Sequence, residues 1–171
     1  MAETSCLRVC SADYANAVHA SALVNLLDAY ARDPMGGGEP LTEFARANLV
    51  PALAARPQAF SVLAFRETEG GGGELPVGLV NCLEGFSTFA CRPLVNVHDL
   101  AVLPQYRGQR VAEKMLALVE EIARERGACK LTLEVLQGNA GAIKLYHRVG
   151  FANYQLDPAM GQAQFLQKWL R

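Results

Sequence analysis

The sequence is poor in the residues that build metal centres and disulfide frameworks. It contains three histidines, at positions 19, 98 and 147, and five cysteines, none of which forms a C-x-x-C pair. An odd number of cysteines without such spacing is typical of unpaired thiols in a reducing compartment. Three scattered histidines also argue against a zinc site. We therefore predict a cytoplasmic protein without a bound metal.

Long apolar runs are also lacking. The most apolar helical stretch, residues 18–31, is interrupted by Asn25 and Asp28 and is too short to span a bilayer. The first five residues lack the basic region and the apolar run that are typical of a signal peptide. We expect no membrane partner.

Neither sign of charge is in excess. The 171 residues include 16 Lys+Arg and 17 Asp+Glu, which gives a formal net charge of -1. A near-zero charge argues against nucleic acid or an anionic membrane as a partner. Hydrophobic residues make up 51% of the chain and charged residues 19%, which is an ordinary globular composition, and the length predicts a single domain over residues 1–171.

Two glycine runs, at residues 36–38 and 70–73, divide the first half of the chain into blocks. Such runs lose too much backbone entropy on folding to lie inside helices or strands, so both are predicted to be surface loops. The blocks around them predict, in order, a strand at 6–10, a helix at 12–32 capped by Ser11, a helix at 41–56 closed by Pro57, and hairpin strands at 60–65 and 77–86.

The second half of the chain predicts a strand-helix-strand unit. Its elements are a strand at 94–102, a helix at 111–126 followed by Gly127, a strand at 130–136, a short helix from the cap Asn139 to Arg148, and final strands at 151–154 and 164–170. Two strands joined by a helix pair in parallel with a right-handed crossover, whereas the strands around them are predicted to be antiparallel. The fold class is therefore α/β, with a mixed sheet.

The segment 102–112, VLPQYRGQRVA, runs from a strand through a tight turn into an amphipathic helix. The first amides of such a helix carry the positive end of its dipole, Gly108 lets the backbone approach a ligand, and Arg107 and Arg110 add positive charge. The pattern indicates a pyrophosphate site and matches neither the nucleoside-triphosphate nor the dinucleotide motif. The alternative is a plain strand-to-helix turn with two solvated arginines.

A second motif follows at 139–151, NAGAIKLYHRVGF, with Asn139 at the start of a short helix and Tyr146 two turns along it. With both motifs in this order around a strand-helix-strand unit, the chain strongly resembles the GNAT superfamily of acyl-CoA N-acyltransferases. The resemblance covers nearly the whole chain. It implies a central, mostly antiparallel mixed sheet with one splayed parallel pair, flanked by about four helices.

The resemblance also implies a set of residues that bind acetyl-CoA. The family's pyrophosphate loop falls on Arg107, Gly108, Gln109, Arg110, Val111 and Ala112. The backbone of Leu100, Ala101 and Val102 would pair with the pantetheine arm, and Asn139 and Tyr146 would lie at the cofactor. The sequence departs from the family at Arg110, where glycine is usual.

Catalytic roles follow from the same resemblance. Tyr146 would protonate the departing sulfur, because a phenol with a pKa near 10 keeps its proton at neutral pH. The base that deprotonates the amine is either Asp99 or His98, at the end of the strand that enters the cofactor site, with Glu84 as a third candidate. The backbone N–H of Val102, or of a neighbouring residue, is the expected donor to the oxyanion.

The acceptor side is expected at residues 28–43 and 86–92. In the first of these segments, Asp28, Asp33, Glu39 and Glu43 outnumber Arg32, which indicates either a cationic acceptor or solvated loop charge. Residues 86–93 and 98–102 are similar to the diamine acetyltransferase branch of the family, with His98 in place of its glutamate. We therefore predict an acetyl-CoA-dependent N-acetyltransferase for a small primary amine.

Three alternatives to a small-amine acetyltransferase stay open from the sequence. The chain could acetylate protein N-termini or lysines, could bind acyl-CoA as a sensor without turnover, or could be a phosphate-binding domain unrelated to coenzyme A. The resemblance also suggests a homodimer through the final strands.

Overall fold

The computed structural model describes residues 6–68, 72–154, 157, 159, 161 and 163–170. Its contacts divide the chain into two compact units between Leu133 and Glu134. Among the described residues, the first unit carries the β-sheet and three α-helices, and the second carries one short α-helix. They are described in turn.

Five strands form the sheet of the first unit. They are β1 (Leu7–Ser11), β2 (Ala59–Glu67), β3 (Glu74–Ser87), β4 (Arg92–Val102) and β5 (Leu131–Leu133). The strands lie in the order β1-β2-β3-β4-β5, with three antiparallel pairings and one parallel pairing, between β4 and β5. The predicted mixed α/β sheet is thus confirmed, although β5 is shorter than the predicted strand at 130–136.

The α-helices of this unit are α1 (Ala17–Arg32), α2 (Glu43–Ala54) and α3 (Val111–Glu125), and a single 3-10 turn spans Pro104–Tyr106. Two of these helices, α1 and α2, begin where a polar side chain accepts hydrogen bonds from free backbone amides. The α1 cap is Asn16, whose side chain accepts from the amides of Val18 and His19. The prediction of Ser11 as the cap was wrong, because Ser11 is still in β1, opposite Val62.

The end of α3 was predicted correctly. Gly127 has φ of +74° and donates its amide to Arg124, while the amide of Ala128 donates to Ala123. This pair of bonds closes the helix through one left-handed residue, a conformation that glycine adopts without strain. Chain reversal at Gly127 then leads directly into β5.

Helices α1 and α3 pack on opposite faces of the sheet. On one face, Ala22, Leu23 and Leu26 of α1 pack in one cluster with Leu63, Phe65 and Leu79 of the sheet. A Cβ on Gly78 would lie 2.8 Å from Met115 Cε of α3. Because neighbouring strand residues point to opposite faces, Leu79 faces α1 and Gly78 faces α3. The missing side chain of Gly78 therefore lets the start of α3 approach the sheet closely.

A β-bulge in β4 changes which of its backbone groups face outward. Asn81 pairs with Asp99, but the next residue, Cys82, pairs with Val97, so His98 is the extra residue. Before the bulge, the Val95 amide donates to Lys130 on the β5 side. After the bulge, the Leu103 amide donates to Val77 of β3. The bulge therefore reverses the alternation of β4.

The second unit contains α4 (Ala140–Arg148). Asn139 accepts the Ala142 amide at 3.1 Å, as predicted for its cap. The final strands predicted at 151–154 and 164–170 were wrong, because both stretches are irregular in the described part of the chain. The apolar side chains that suggested them, including Phe165 and Trp169, are exposed, and an alternating pattern forms a strand only where a ladder partner pairs with it.

Among the described residues, no helix is both long and apolar enough to cross a membrane.

Candidate active site

The turn into α3 presents free backbone amides. Gly108 and Arg110 both have left-handed backbones, with φ of +75° and +59°, and Arg110 makes no side-chain cap to the helix. The Lys114 amide makes the first hydrogen bond of the helix, to the carbonyl of Arg110. The amides of Val111 and Ala112 therefore remain available at the positive end of the helix dipole, as an anion site requires.

Arg110 is the residue at which the loop departs from the family pattern. Its backbone nevertheless adopts the left-handed conformation that glycine favours, at a cost of about 1–2 kcal/mol for a residue with a side chain. The turn thus keeps the shape of a two-glycine loop although it contains one glycine.

Arg107 is engaged by the protein itself. Its Nη2 donates to Asp33 Oδ2 at 2.9 Å and its Nε donates to the Val102 carbonyl at 3.0 Å. The Arg107 hydrogen bond, and to a smaller extent the Met35 amide, hold the pKa of Asp33 below its usual range. Arg107 therefore links the end of α1 to the end of β4, and its positive charge is partly neutralised.

The Gln109 side chain is likewise held within the protein. Its Nε2 donates to the Gln105 carbonyl at 3.0 Å, and its Oε1 accepts from Arg66 at 2.7 Å. These bonds fix the loop in front of α3. Gln109 can therefore bind an anion through its backbone amide rather than through its side chain.

The end of β4 offers a backbone edge. Because the Leu103 amide donates to β3, alternation points the N–H and C=O groups of Leu100 and Val102 away from β3. Ala101 pairs with Leu79, so its polar groups belong to the β3–β4 ladder. The parallel pairing with β5 stops at Val97. An extended ligand can therefore pair with Leu100 and Val102, whereas the prediction for Ala101 lacks this support.

The two base candidates lie in different surroundings. Asp99 Oδ2 accepts a hydrogen bond from Asn81 Nδ2 at 3.0 Å, and Asn81 is buried. His98, the bulge residue, is exposed, and its Nδ1 lies 3.4 Å from Asn96 Oδ1. The third candidate, Glu84, forms an ion pair with Arg126 at 3.3 Å. Of the two carboxylates, Asp99 is therefore held by a neutral amide and Glu84 by a cation.

Tyr146 lies in the last part of α4, in the second unit. Its ring makes an edge contact with Phe151, with centroids 5.8 Å apart, and its carbonyl accepts the Phe151 amide. Gly150, with φ of +98°, makes the reversal that brings Phe151 back to the helix. The glycine and phenylalanine of the second motif therefore orient the tyrosine.

A comparison with models of known protein families covers both motifs. The family model described as "Acetyltransferase (GNAT) family" matches residues 21–151. The chain belongs to the GNAT acetyltransferase family.

Two curated GNAT relatives illustrate the similarity. The streptothricin acetyltransferase of Streptomyces lavendulae is 38% identical over 89 residues, which are 50% of this chain and 47% of that protein. The thialysine N-epsilon-acetyltransferase of Mus musculus is 37% identical over 78 residues, which are 46% of this chain and 45% of that protein. The chain thus spans about half the length of the curated relatives it matches.

The fold is shared over almost the whole chain with solved structures. A crystal structure of an aminoglycoside N-acetyltransferase in complex with CoA has a TM-score of 0.72 and 17% identity, and covers 98% of both chains. At this identity the comparison establishes the GNAT fold alone.

The acidic acceptor side expected from the sequence is partly neutralised. Asp28 is buried and accepts from Arg32 at 2.9 Å, from the Leu41 amide at 3.0 Å, and from Arg46 at 2.9 Å. Asp33 is paired with Arg107. Two of the four carboxylates therefore stabilise the α1–α2 connection, which leaves Glu39 and Glu43 as the exposed acidic residues of this segment.

Sequence reasoning missed two contacts of the candidate site, Asn81 with Asp99 and Asp33 with Arg107. Asn81 stands alone as a polar residue in the apolar run 77–83 of β3, and that interruption was the available signal. Asp33 as the partner of Arg107 had no signal, because 74 residues separate the two. Among the described residues, no group of three His, Cys, Asp or Glu side chains could hold a metal ion.

Proposed function

We propose that this chain is an acetyl-CoA-dependent N-acetyltransferase in which the primary amine of a small molecule attacks the thioester directly. The observation that carries the proposal is the junction of β4 and α3. There, the outward-facing backbone of Leu100 and Val102 leads into a helix start whose left-handed residues are Gly108 and Arg110. Such an edge suits an extended pantetheine arm, and the amides suit a pyrophosphate.

The chemistry of this junction suits coenzyme A. The Val111 and Ala112 amides would bind the pyrophosphate, since no side chain of residue 110 caps them. The Arg110 guanidinium would add a charged donor. Acetyl-CoA supplies the acetyl group as a thioester.

Two proton transfers and one hydrogen bond then fall to three groups of the chain. Asp99 takes the proton from the attacking amine, which must be neutral to form the N–C bond. The Val102 amide, which points away from β3, donates to the carbonyl oxygen as it gains charge. Tyr146, assigned by the family motif, gives its proton to the sulfur as the C–S bond breaks. His98 is the alternative base.

Two of the curated relatives support a small amine as the acceptor. The two curated proteins are named for streptothricin and thialysine, both of which are small amines. A small cationic acceptor also agrees with the remaining exposed carboxylates, Glu39 and Glu43.

Two assays test the proposal. In a thermal-shift assay, acetyl-CoA should raise the Tm and ATP or NAD should not. In a free-thiol assay with acetyl-CoA, at least one of streptothricin, thialysine and the aminoglycoside sisomicin should release thiol faster than the same mixture without an amine. Release with N-terminal peptides alone would indicate a protein acceptor, and binding without release would indicate a sensor.

Replacement of Tyr146 by phenylalanine tests the proton donor. It should lower kcat by about 10²-fold with little change in the Kd of acetyl-CoA, because only the proton on the leaving group is lost. Tyr154→Phe is the matched control, since Tyr154 is an exposed tyrosine of the same unit. Normal turnover by Tyr146→Phe would exclude Tyr146 as the acid.

A further inference from the structure

Four polar side chains form a hydrogen-bonded row that ends at Asp99. The Tyr14 hydroxyl lies 2.9 Å from Ser61 Oγ, Ser61 Oγ donates to Asn81 Oδ1 at 2.6 Å, and Asn81 Nδ2 donates to Asp99 Oδ2 at 3.0 Å. Ser61 is 1% exposed and Asn81 is 6% exposed. The row therefore runs through the interior, from the segment before α1, across β2 and β3, to β4.

The carboxylate at one end fixes the direction of every donor in the row. An ionised Asp99 can only accept, so the Asn81 group that faces it is the NH₂. The Asn81 oxygen then faces Ser61, whose hydroxyl must donate to it, and Ser61 Oγ is left to accept from Tyr14. All three donors point toward Asp99, and each bond polarises the next.

Stability of the core does not by itself require this row. Asn81 lies between Val80 and Cys82, both almost fully buried. Replacing both partners of a buried hydrogen bond with apolar groups of the same shape is often neutral or even stabilising. The direct physical effect of the row is instead to hold one oxygen of Asp99 in place, which leaves Oδ1 to reach a ligand.

We propose that Asn81 positions the Asp99 carboxylate for proton transfer, and that Ser61 and Tyr14 hold the Asn81 amide in the required orientation. This inference rests on the proposed function, in which Asp99 is the base. Asn81 acts through Asp99 and does not touch the substrate.

Two titratable groups from other elements lie near Asp99. Tyr30 of α1 and Cys82 of β3 both lie close enough to respond to its charge. Burial chiefly, and the Asp99 charge to a smaller extent, raise the pKa of Tyr30, and the same two causes, opposed by Arg126, raise that of Cys82 to about 12. Both groups therefore keep their protons at neutral pH.

Kinetics of single and double variants test this inference, with the fastest amine of the three-amine assay as the probe. Asn81→Leu should lower kcat by about tenfold or more, with the KM of acetyl-CoA changed less than about twofold. Tyr14→Phe, which removes one buried oxygen and is the variant least able to perturb folding, should lower kcat by about two- to threefold. Val80→Ala is the control: it truncates the neighbouring buried residue and should lower the Tm while kcat stays unchanged.

A double variant separates positioning from a general packing role. In an Asp99→Asn background, Asn81→Leu should cause no further fall in kcat, because the group that it positions is already absent. If the falls in kcat caused by Asn81→Leu and Asp99→Asn multiply in the double variant, the inference is wrong and the proposed function stands. The same holds if Asp99→Asn is slow but Asn81→Leu alone has a normal kcat. If the parent protein acetylates none of the three amines, the proposed function fails first.

Discussion

Arg107 in the turn before α3 donates to Asp33 at the end of α1 across 2.9 Å, and to the carbonyl of Val102 across 3.0 Å. One guanidinium therefore joins three parts of the first unit: the α1–α2 connection, the open edge of β4 and the loop that presents the α3 amides. An exposed ion pair of this kind contributes at most about 1 kcal/mol to stability. Its larger effect is on the charge near the anion site.

Asp33→Asn should bind acetyl-CoA more tightly than the parent protein. The substitution removes a negative charge beside Arg107, so the Kd of acetyl-CoA should fall by about two- to fivefold at low salt and the gain should disappear near 0.5 M NaCl. Calorimetric titration at two salt concentrations measures both effects. The control is Glu120→Gln, which breaks the exposed Arg124 pair on α3 without altering this site. Weaker binding by Asp33→Asn would mean that Asp33 orients Arg107 for the cofactor.

Arg110→Gly should stabilise the protein. It relieves a left-handed backbone that costs about 1–2 kcal/mol, and it loses part of that gain to unfolded-chain entropy, so the free energy of unfolding should rise by about 0.5–1 kcal/mol. Arg110→Ala removes the same guanidinium but keeps the strain, so it should show no gain. Urea unfolding measures the free energy of unfolding of both variants. Equal values for Arg110→Gly and Arg110→Ala would show that the backbone of residue 110 is not strained.

Asp28→Asn should destabilise the protein in a pH-dependent way. The hydrogen bond from Arg32 chiefly, then those from Arg46 and the Leu41 amide, lower the pKa of Asp28 in the folded state. A lowered pKa gives stability that is present above the unfolded pKa, near 4, and is lost as the pH falls through the folded one. The Tm difference from the parent should therefore be full at pH 7 and shrink below about pH 4. Glu39→Gln, at an exposed carboxylate of the same segment, should show no such difference.

Gly36→Ala should disrupt the turn after α1. A Cβ at this position would lie 1.9 Å from the Tyr30 carbonyl oxygen, which is backbone and cannot move aside. The free energy of unfolding should fall by more than about 2 kcal/mol. Gly73→Ala makes the same chemical change at a position with no atom within 4 Å and should be neutral. Similar stability for both alanine variants would contradict the close approach at Gly36.

Sequence reasoning succeeded where the determinants are local. The periodicity of α3, the Gly127 reversal and the Asn139 cap lie within a few residues of the elements they define, and each was predicted correctly. Ser11 was mistaken for a cap because cap propensity does not reveal that β1 continues through it. The pairing of Asn81 with Asp99 depends on strand register, which a sequence pattern alone does not encode.

The bulge at His98 determines which backbone groups of β4 face away from β3. Because of one extra residue, the backbone N–H and C=O groups of odd-numbered residues up to Val97 face β5. Those of even-numbered residues from Leu100 onward face the open edge. Substitution of His98 by another residue preserves this change of parity, whereas deletion of any one residue between Val97 and Leu100 abolishes it. The backbone groups that would meet the ligand are therefore specified by a count of residues, and evolution can vary the side chains there more freely than it can vary the spacing.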